Sequence, residues 1–297
     1  MSAASSAVAP EQVAVVVLNH NGAADTLDCL RSLAALRDAP GTIRLVDNAS
    51  SDDSVERIRA AFPDLDVSVN AVNLGFGAGL DPTLESLLSE GWEWIWLLNN
   101  DAQVASDALE KLLEHAARNP DAGALGARIV DMEPPHALQS WGGGRIGWWR
   151  GNSVHLRSPG DDAELDYLTG ASLLLRSRAL NSTGLFDPRF FVYWEDVDLC
   201  LRLRERGWRL TVAPEAVIRH RLSATTHSNK DELMNASAVR FFRKHGPWGG
   251  WPAIVLGVSA RIARRALRGD FVAARAVWRG ARSGLSAALR ERTRRGR

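Results

Sequence analysis

Trp94-Ile95-Trp96-Leu97-Leu98-Asn99-Asn100-Asp101 decides how the chain is read: an apolar run that stops abruptly on two amides and a carboxylate. A run with no polar member suits a strand buried on both faces, as in a parallel sheet covered by helices. The alternation Trp92, Trp94, Trp96 reads as one face of that strand. Working outward towards the N-terminus, Val13 to Leu18, Ile43 to Val46 and Val67 to Val72 are further strand-like runs. Helical spacings separate them. Leu27, Leu30, Leu33 and Ala34 form one; Val55, Ile58 and Phe62 behind Asp53 and Glu56 form another; Leu84, Leu87 and Leu88 behind Asp81-Pro82 form a third. Asp81 and Pro82 read as N-cap and first helical position of that third helix. Towards the C-terminus, Leu109, Leu112, Leu113 and Ala116 mark one more helix, stopped at Asn119-Pro120. Alternating strands and helices predict an α/β fold with a mostly parallel central sheet flanked by helices. Ligands bind outside the carboxyl ends of such strands. Asn19-His20-Asn21, Asp47-Asn48, Asn73 to Gly75 and Asn99 to Asp101 all fall there and are expected on one rim.

Past this region the pattern changes. Residues 141–151, WGGGRIGWWRG, are expected to form a loop or irregular hairpin over the rim. Leu168 to Leu175 reads as a strand, and Phe191 to Asp196 leads into a helix that stops at Gly207. Arg209 to Val212 and Val217 to His220 read as two short strands. Composition is that of a globular protein, 45% hydrophobic and 24% charged with a net charge of +1. Cys29 and Cys200 lie far apart among apolar residues and read as buried thiols in a reducing cytoplasm. Residues 1–11, rich in Ala and Ser, read as a disordered leader, and no apolar run reaches the roughly 18–20 residues of a membrane span.

Three groups carry the chemistry. A carboxylate and two amides at the end of a buried strand, Asn99-Asn100-Asp101, suit an oxygen-bound Mg²⁺ or Mn²⁺, although a plain polar turn gives the same pattern. Glu195-Asp196 stands before an amphipathic helix, where acids also serve as ordinary partners of the helix dipole. The aromatics Phe190, Phe191, Tyr193 and Trp194 wall that pair in and favour a general base. His220 gains meaning as a ligand only if it approaches Asp101. Gly75-Phe76-Gly77-Ala78-Gly79 has the wrong glycine spacing for a dinucleotide loop.

In combination these become specific. VVVLNHNG, LVDNASSDDSV, NLGFGAG, LLNNDAQV, LTGASLLLRSRAL, GLFDPRFFVYWEDVDLCLRLRERGW and PEAVIRH, in that order over residues 12–225, closely resemble glycosyltransferase family 2, in its rhamnosyltransferase-like and galactofuranosyltransferase-like branch. The resemblance implies the GT-A fold over 12–245, with a nucleotide-sugar-binding half at 12–125 and an acceptor half at 126–245. It implies that Asn19 and Asp47 meet the nucleoside, Asp47 reading a pyrimidine base, and that Asn73, Gly75 and Gly170 lie close to the nucleotide sugar. It matches Asn99, Asn100 and Asp101 to the family's DXD segment, Asp101 and His220 to its metal site, and Glu195-Asp196 to its catalytic acids, with Asp196 as base. Asn99 replaces the first acid of that segment, so the sugar donor's diphosphate is expected to complete the metal's ligands. Leu80-Asp81-Pro82 replaces an asparagine-rich stretch. The implied reaction is an inverting transfer of a sugar, first of all L-rhamnose, from a dTDP- or UDP-sugar. The acceptor hydroxyl belongs to a glycan, a lipid-linked glycan or a small molecule.

Residues 246–297 lie beyond the resemblance and hold, from Arg261 on, twelve arginines against Asp270 and Glu291. Ile262, Ala266, Phe271, Val272, Ala276 and Val277 among them predict basic amphipathic helices. Two readings stand level: peripheral docking on the anionic inner face of the cell membrane, or packing on the catalytic domain or on a second copy as a homodimer. No nucleic-acid-binding module accompanies the charge. A sugar-1-phosphate nucleotidyltransferase would need a glycine-rich basic loop after the first strand, which Asn19-His20-Asn21-Gly22 is not. A non-catalytic sugar-nucleotide scaffold is disfavoured by Asp101, Asp196 and His220 occurring together.

Overall fold

A computed structural model describes residues 9–221 and 227–295 of the chain. The expected leader lies mainly outside these residues, and Pro10–Gln12 is a single 3-10 turn into the first strand. The first third alternates as predicted: β1 (Val13–Asn19), α1 (Ala23–Ala34), β2 (Thr42–Asp47), α2 (Ser54–Ala61), β3 (Asp66–Val69), α3 (Phe76–Glu90), β4 (Trp94–Asn99), β5 (Ala102–Val104) and α4 (Ala108–Arg118). Then come β6 (Ala122–Asp131), β7 (Leu138–Ser140), β8 (Gly143–Gly147), β9 (Asn152–His155), β10 (Tyr167–Leu168), β11 (Ser172–Arg176), α5 (Ser177–Thr183), α6 (Glu195–Glu205) and β12 (Arg209–His220). Helices α7 (His227–His245), α8 (Trp251–Leu267) and α9 (Phe271–Arg295) follow.

Strands β3, β2, β1 and β4 run side by side in parallel. Beyond β4 the sheet becomes mixed: β11 is antiparallel to β4 and β6, β6 is parallel to β12, and β5 closes the edge antiparallel to β12. Parallel neighbours need a crossover, usually a helix. Short strands instead of a helix fill the chain between β6 and β11, so β11 returns antiparallel. Register is fixed by two apolar faces. Val13, Val15, Val17, Trp94, Trp96 and Leu98 join α1 and α4 on one side; Ala14, Val16, Ile95 and Leu97 join α3 and α6 on the other. Each such fully buried Val or Leu contributes about 1.5–3 kcal/mol, and a one-residue slip would turn every one to the wrong face.

Several local readings are corrected. Helix α3 starts at Phe76, and Pro82 sits inside it. Phe76, Leu80 and Leu84 pack into the core, and that burial outweighs the lost hydrogen bond of one proline. Trp92 precedes β4 and packs with the opposite cluster from Trp94 and Trp96, its Nε1 donating to Glu90 at 2.9 Å. The strand expected at 168–175 is two strands, β10 and β11, parted by Thr169-Gly170-Ala171. The two pieces expected at 209–212 and 217–220 are one strand, β12, with a register shift between Ala213 and Val217. Residues 141–151 lie in a hairpin, β8 against β9, with β10 as a third strand. Both cysteines are buried, and burial pushes each thiol up to about 12. Helix α9 lies along α7 so closely that a Cβ on Gly280 would stand 2.1 Å from the Glu232 carbonyl oxygen. Among the described residues no helix is long and apolar enough to cross a membrane.

Candidate active site

The carboxyl ends of β1 and β2 form a tight polar network. Asn19, fully buried, donates from Nδ2 to Asp47 Oδ2 at 2.7 Å and Ser50 Oγ at 3.1 Å. Its Oδ1 accepts from Thr26 Oγ1 at 2.8 Å and Gly22 N at 3.2 Å. Asp47, also buried, accepts from Ser50 N at 2.8 Å and Ser50 Oγ at 2.6 Å. Asn100 donates to Thr26 Oγ1 at 3.0 Å and so ties β4 to the same turn. Asn48, which the sequence did not single out beyond its polar cluster, binds the next loop. It donates to Asn73 Oδ1 at 2.8 Å and the Gly75 carbonyl at 2.9 Å, and accepts from Asn70 Nδ2 at 3.0 Å and Leu74 N at 3.1 Å. These groups order the rim by satisfying one another.

At the end of β4 the environment opens. Asp101 Oδ1 stands 3.2 Å from His220 Nε2, although the residues are far apart in sequence. β5 pairs with the end of β12, His220 opposite Ala102, and this pairing brings them together. His220 Nδ1 lies 3.1 Å from Gln139 Oε1, while Gln139 Nε2 donates to the His220 carbonyl at 2.7 Å. An Nδ1–H donated to Gln139 leaves the Nε2 lone pair aimed at Asp101. Adjacent ligands on a small octahedral cation sit about 3 Å apart, so an oxygen and a nitrogen at this spacing fit one divalent ion. No cluster of three or more His, Cys, Asp or Glu suited to a metal occurs among the described residues. The protein therefore offers this pair, with Asn99 beside it at 3.4 Å from His220 Nε2.

Across a cavity of about 490 Å³ lies the second acidic group; Asn99, Asp101, Gly170, Glu195, Asp196 and His220 all line it. Asp196 Oδ2 accepts from Gly170 N at 2.9 Å, and Oδ1 accepts from Val197 N at 2.8 Å at the start of α6. The break between β10 and β11 is what turns Gly170 N–H towards it. Desolvation raises the Asp196 pKa, and the Gly170 and Val197 amides and His155 oppose the rise. Glu195 is pushed well above the ordinary carboxyl range, by burial first and the Asp196 charge second, and among the described residues its Oε2 has no hydrogen-bond partner. Burial thus disfavours the charged form of both acids, and backbone N–H donors oppose this at Asp196. The residues that deliver the pair, Tyr193 and Trp194, both sit at positive φ, 66° and 70°. Bulky residues rarely occupy that region, and such strain persists only where packing enforces it. Trp194, tilted against Phe241 at 4.8 Å and edge-on to Phe242 at 5.3 Å, supplies that packing. His155, which the sequence reading did not reach, also lines the cavity beside Tyr167; burial lowers its pKa and favours the neutral imidazole.

Residues 10–243 match the family model described as "Glycosyltransferase like family 2". The chain belongs to that family. It is therefore a glycosyltransferase, and its architecture is the GT-A fold. An N-acetylglucosaminyl-diphospho-decaprenol L-rhamnosyltransferase of Mycobacterium tuberculosis is 29% identical over 220 residues, which cover 66% of this chain and 72% of that one. Galactofuranosyltransferase GlfT1 of Mycolicibacterium smegmatis is 26% identical over 203 residues, 66% of this chain and 67% of the other. Among solved structures, mannosyltransferase PcManGT from Pyrobaculum calidifontis, in complex with GDP-Man and Mn²⁺, superposes with a TM-score of 0.60 at 16% identity, covering 92% of this chain and 87% of its own.

Within this glycosyltransferase the residues expected at the site fall into two sets. Asn99, Asp101, Gly170, Glu195, Asp196 and His220 share one cavity. Asn19, Asp47 and Asn100 form the adjoining network, and Asn73 and Gly75 join it through Asn48. Gln139 and Asn48 act through contacts at long sequence separation. A one-dimensional signal for them was limited to their polar surroundings.

Proposed function

We propose that this glycosyltransferase moves L-rhamnose from dTDP-L-rhamnose onto a hydroxyl of a lipid-linked glycan, with inversion at the anomeric carbon. The observation that carries the mechanism is Asp196, held by two backbone N–H groups in the cavity that also contains Asp101 and His220. Asp196 takes the proton of the acceptor hydroxyl, and the oxygen attacks from the face opposite the diphosphate. One displacement needs one base and no protein nucleophile. Asp101 and His220 would hold Mg²⁺ or Mn²⁺, which when bound supplies positive charge against the departing nucleoside diphosphate. Asn19, Asp47, Asn73, Gly75, Asn99, Asn100 and Gly170 position the sugar nucleotide, so that much of the rate derives from orientation and prearranged dipoles.

The sugar and acceptor follow the mycobacterial relative, whose name carries both rhamnose and a diphospho-decaprenol. We further assign residues 12–245 to catalysis, in nucleotide and acceptor halves at 12–125 and 126–245, and residues 246–297 to a tail that meets the membrane on its cytoplasmic side. A panel of dTDP-L-rhamnose, UDP-galactofuranose and UDP-N-acetylglucosamine, each with Mn²⁺, Mg²⁺ or EDTA, tests the reading. Metal-dependent consumption of dTDP-L-rhamnose and an inverted anomer by NMR are expected. Preference for a UDP-sugar overturns the donor assignment, and a product of retained configuration overturns the single displacement.

A further inference from the structure

Helix α8 is amphipathic, but its solvent side is the unusual one. Ala253, Ile254 and Gly257 face the protein. Its exposed positions are Trp251, Val255, Leu256, Ser259, Ala260, Ala263, Arg264 and Leu267, and of these only Arg264 is charged. Most recur at intervals of four or five residues, so an almost uncharged stripe runs the length of the helix towards water. A solvent-facing helix surface ordinarily carries charge. At its N-terminal end the stripe continues into more aromatic surface. Trp248, 72% exposed, packs against exposed Trp149 with ring centres 5.3 Å apart, and Trp251 lies under the Arg243 guanidinium at 4.7 Å. Trp248 is held at φ 50°, a region in which a bulky side chain is an outlier that calls for a functional explanation. Beyond the stripe, α9 opens with exposed Phe271, Arg275, Trp278 and Arg282 along one side, the Arg282 guanidinium 5.5 Å from the Trp278 ring. Tryptophans and arginines at the border of an apolar face are the composition of a helix lying in a bilayer interface.

We infer that the exposed face of α8, with Trp149 and Trp248 at its N-terminal end, is a docking surface for an anionic bilayer. This rests on the lipid-linked acceptor proposed above and names the surface that meets the lipid. Charge selects the occupant: Arg264, Arg268, Arg275 and Arg282 are all exposed and complement anionic headgroups. A second copy seated face to face would set these arginines against their equivalents, where like charges are costly. Geometry connects the surface to catalysis. The tip of the β8–β9 hairpin is fastened to α8, with Arg261 Nη1 donating to the Gly151 carbonyl at 2.7 Å. Strand β9 runs from that tip to Ser153 and His155, which line the cavity. Four residues at about 3.3 Å each span about 13 Å from the tip to the cavity wall, and the width of α8, about 10–12 Å, lies between the tip and the docked face. The head of an acceptor anchored in the bilayer by its lipid then has about 20–25 Å to span to the cavity, the reach of a few sugar units beyond a diphosphate.

Flotation of the full chain tests this, with vesicles of equal parts phosphatidylcholine and phosphatidylglycerol against phosphatidylcholine alone. The chain is expected to float with the anionic vesicles and at least about tenfold less with the neutral ones. The double variant Val255→Glu with Leu256→Glu, and separately Trp248→Ser, should each reduce flotation about tenfold or more. Both should retain dTDP binding by calorimetry, which shows that the fold is intact. Unchanged flotation of both variants overturns the proposal, as does a wild-type chain that floats with neither vesicle. A concentration-dependent dimer that the double variant splits, with no flotation, assigns the face to a second copy and overturns it too. The two readings fail separately: a chain that floats but ignores dTDP-L-rhamnose leaves the docking surface standing. One that transfers rhamnose to a water-soluble acceptor without floating does the reverse.

Discussion

The two sides of the cavity are built on opposite principles. At the nucleotide rim, Asn19, Asp47, Asn48 and Ser50 satisfy one another through short side-chain hydrogen bonds. On the facing side, residues 193–196 combine two left-handed aromatic residues, a carboxyl oxygen without a partner and two acids with raised pKa values. The first arrangement is rigid at low cost. The second is strained and is held only because Trp194 and α6 are packed against α7. The contrast teaches where each half can absorb change: the proposed binding rim is self-supporting, whereas the proposed base, Asp196, depends on its surroundings.

Substitutions test the contrast in descending order of effect. Asp196→Asn should lower kcat about a thousandfold while dTDP affinity stays within about twofold, as steady-state kinetics and calorimetry would show. A matching loss of affinity would merge the two sides. Asp198 is the buried anchor beneath the base, bonded to Arg202 at 2.8 Å, Lys244 at 2.6 Å and His245 at 2.7 Å. Asp198→Ala should cost about 3 kcal/mol in urea unfolding, because Arg202, Lys244 and His245 lose their common acceptor. Asn48→Ala should cost about 2 kcal/mol and weaken dTDP binding, since it deletes a four-bond junction. If donor affinity were untouched, the rim would not need its network. Gln139→Ala should weaken Mn²⁺ binding about tenfold by releasing the His220 ring, with little change in melting temperature.

The smallest effect concerns Asp81, whose pKa rises to about 6, through burial above all, with the Phe186 backbone opposing. The folded state therefore binds a proton that the unfolded state releases above its lower pKa. The resulting stabilisation is complete below pH 3.8 and is lost as pH rises through about 6. Asp81→Asn, a permanently neutral replacement, should raise stability by about 1 kcal/mol at pH 7.5, with partial exposure reducing the gain, and by almost nothing at pH 4. Equal gains at both pH values would show that the carboxylate's charge is not what matters there.

Much of the nucleotide rim could be read in one dimension because strand ends and turns are local. Asn19, Asp47 and Asn99 each end a strand and Asn73 lies in the loop after β3, and the parallel order of those strands puts them on one edge. The start of α3 could not be read so, because Asp81-Pro82 presents a better local helix start than the glycine-rich turn at Phe76 that packing selects. The facing side depended on distance in sequence. The Asp101–His220 contact arises from pairing β5 with β12, and the Gln139 bond behind it from β6 pairing with both β7 and β12; the family resemblance, not periodicity, pointed to the first of them. His155 and the strained φ of Tyr193 and Trp194 leave no trace in composition or spacing.

At Gly75 the two sides meet backbone to backbone: Phe76 N donates to the Phe191 carbonyl at 2.7 Å, and a Cβ on Gly75 would lie 1.8 Å from that oxygen. The sugar-nucleotide loop and the segment leading to the base are thus riveted backbone to backbone. Any recombination that grafts one relative's proposed nucleotide half, residues 12–125, onto another's proposed acceptor half must carry this seam intact. Donor preference and the path of the base-bearing loop are then exchanged as one cassette, and splicing between them should yield chains that fold poorly even when each parent is sound.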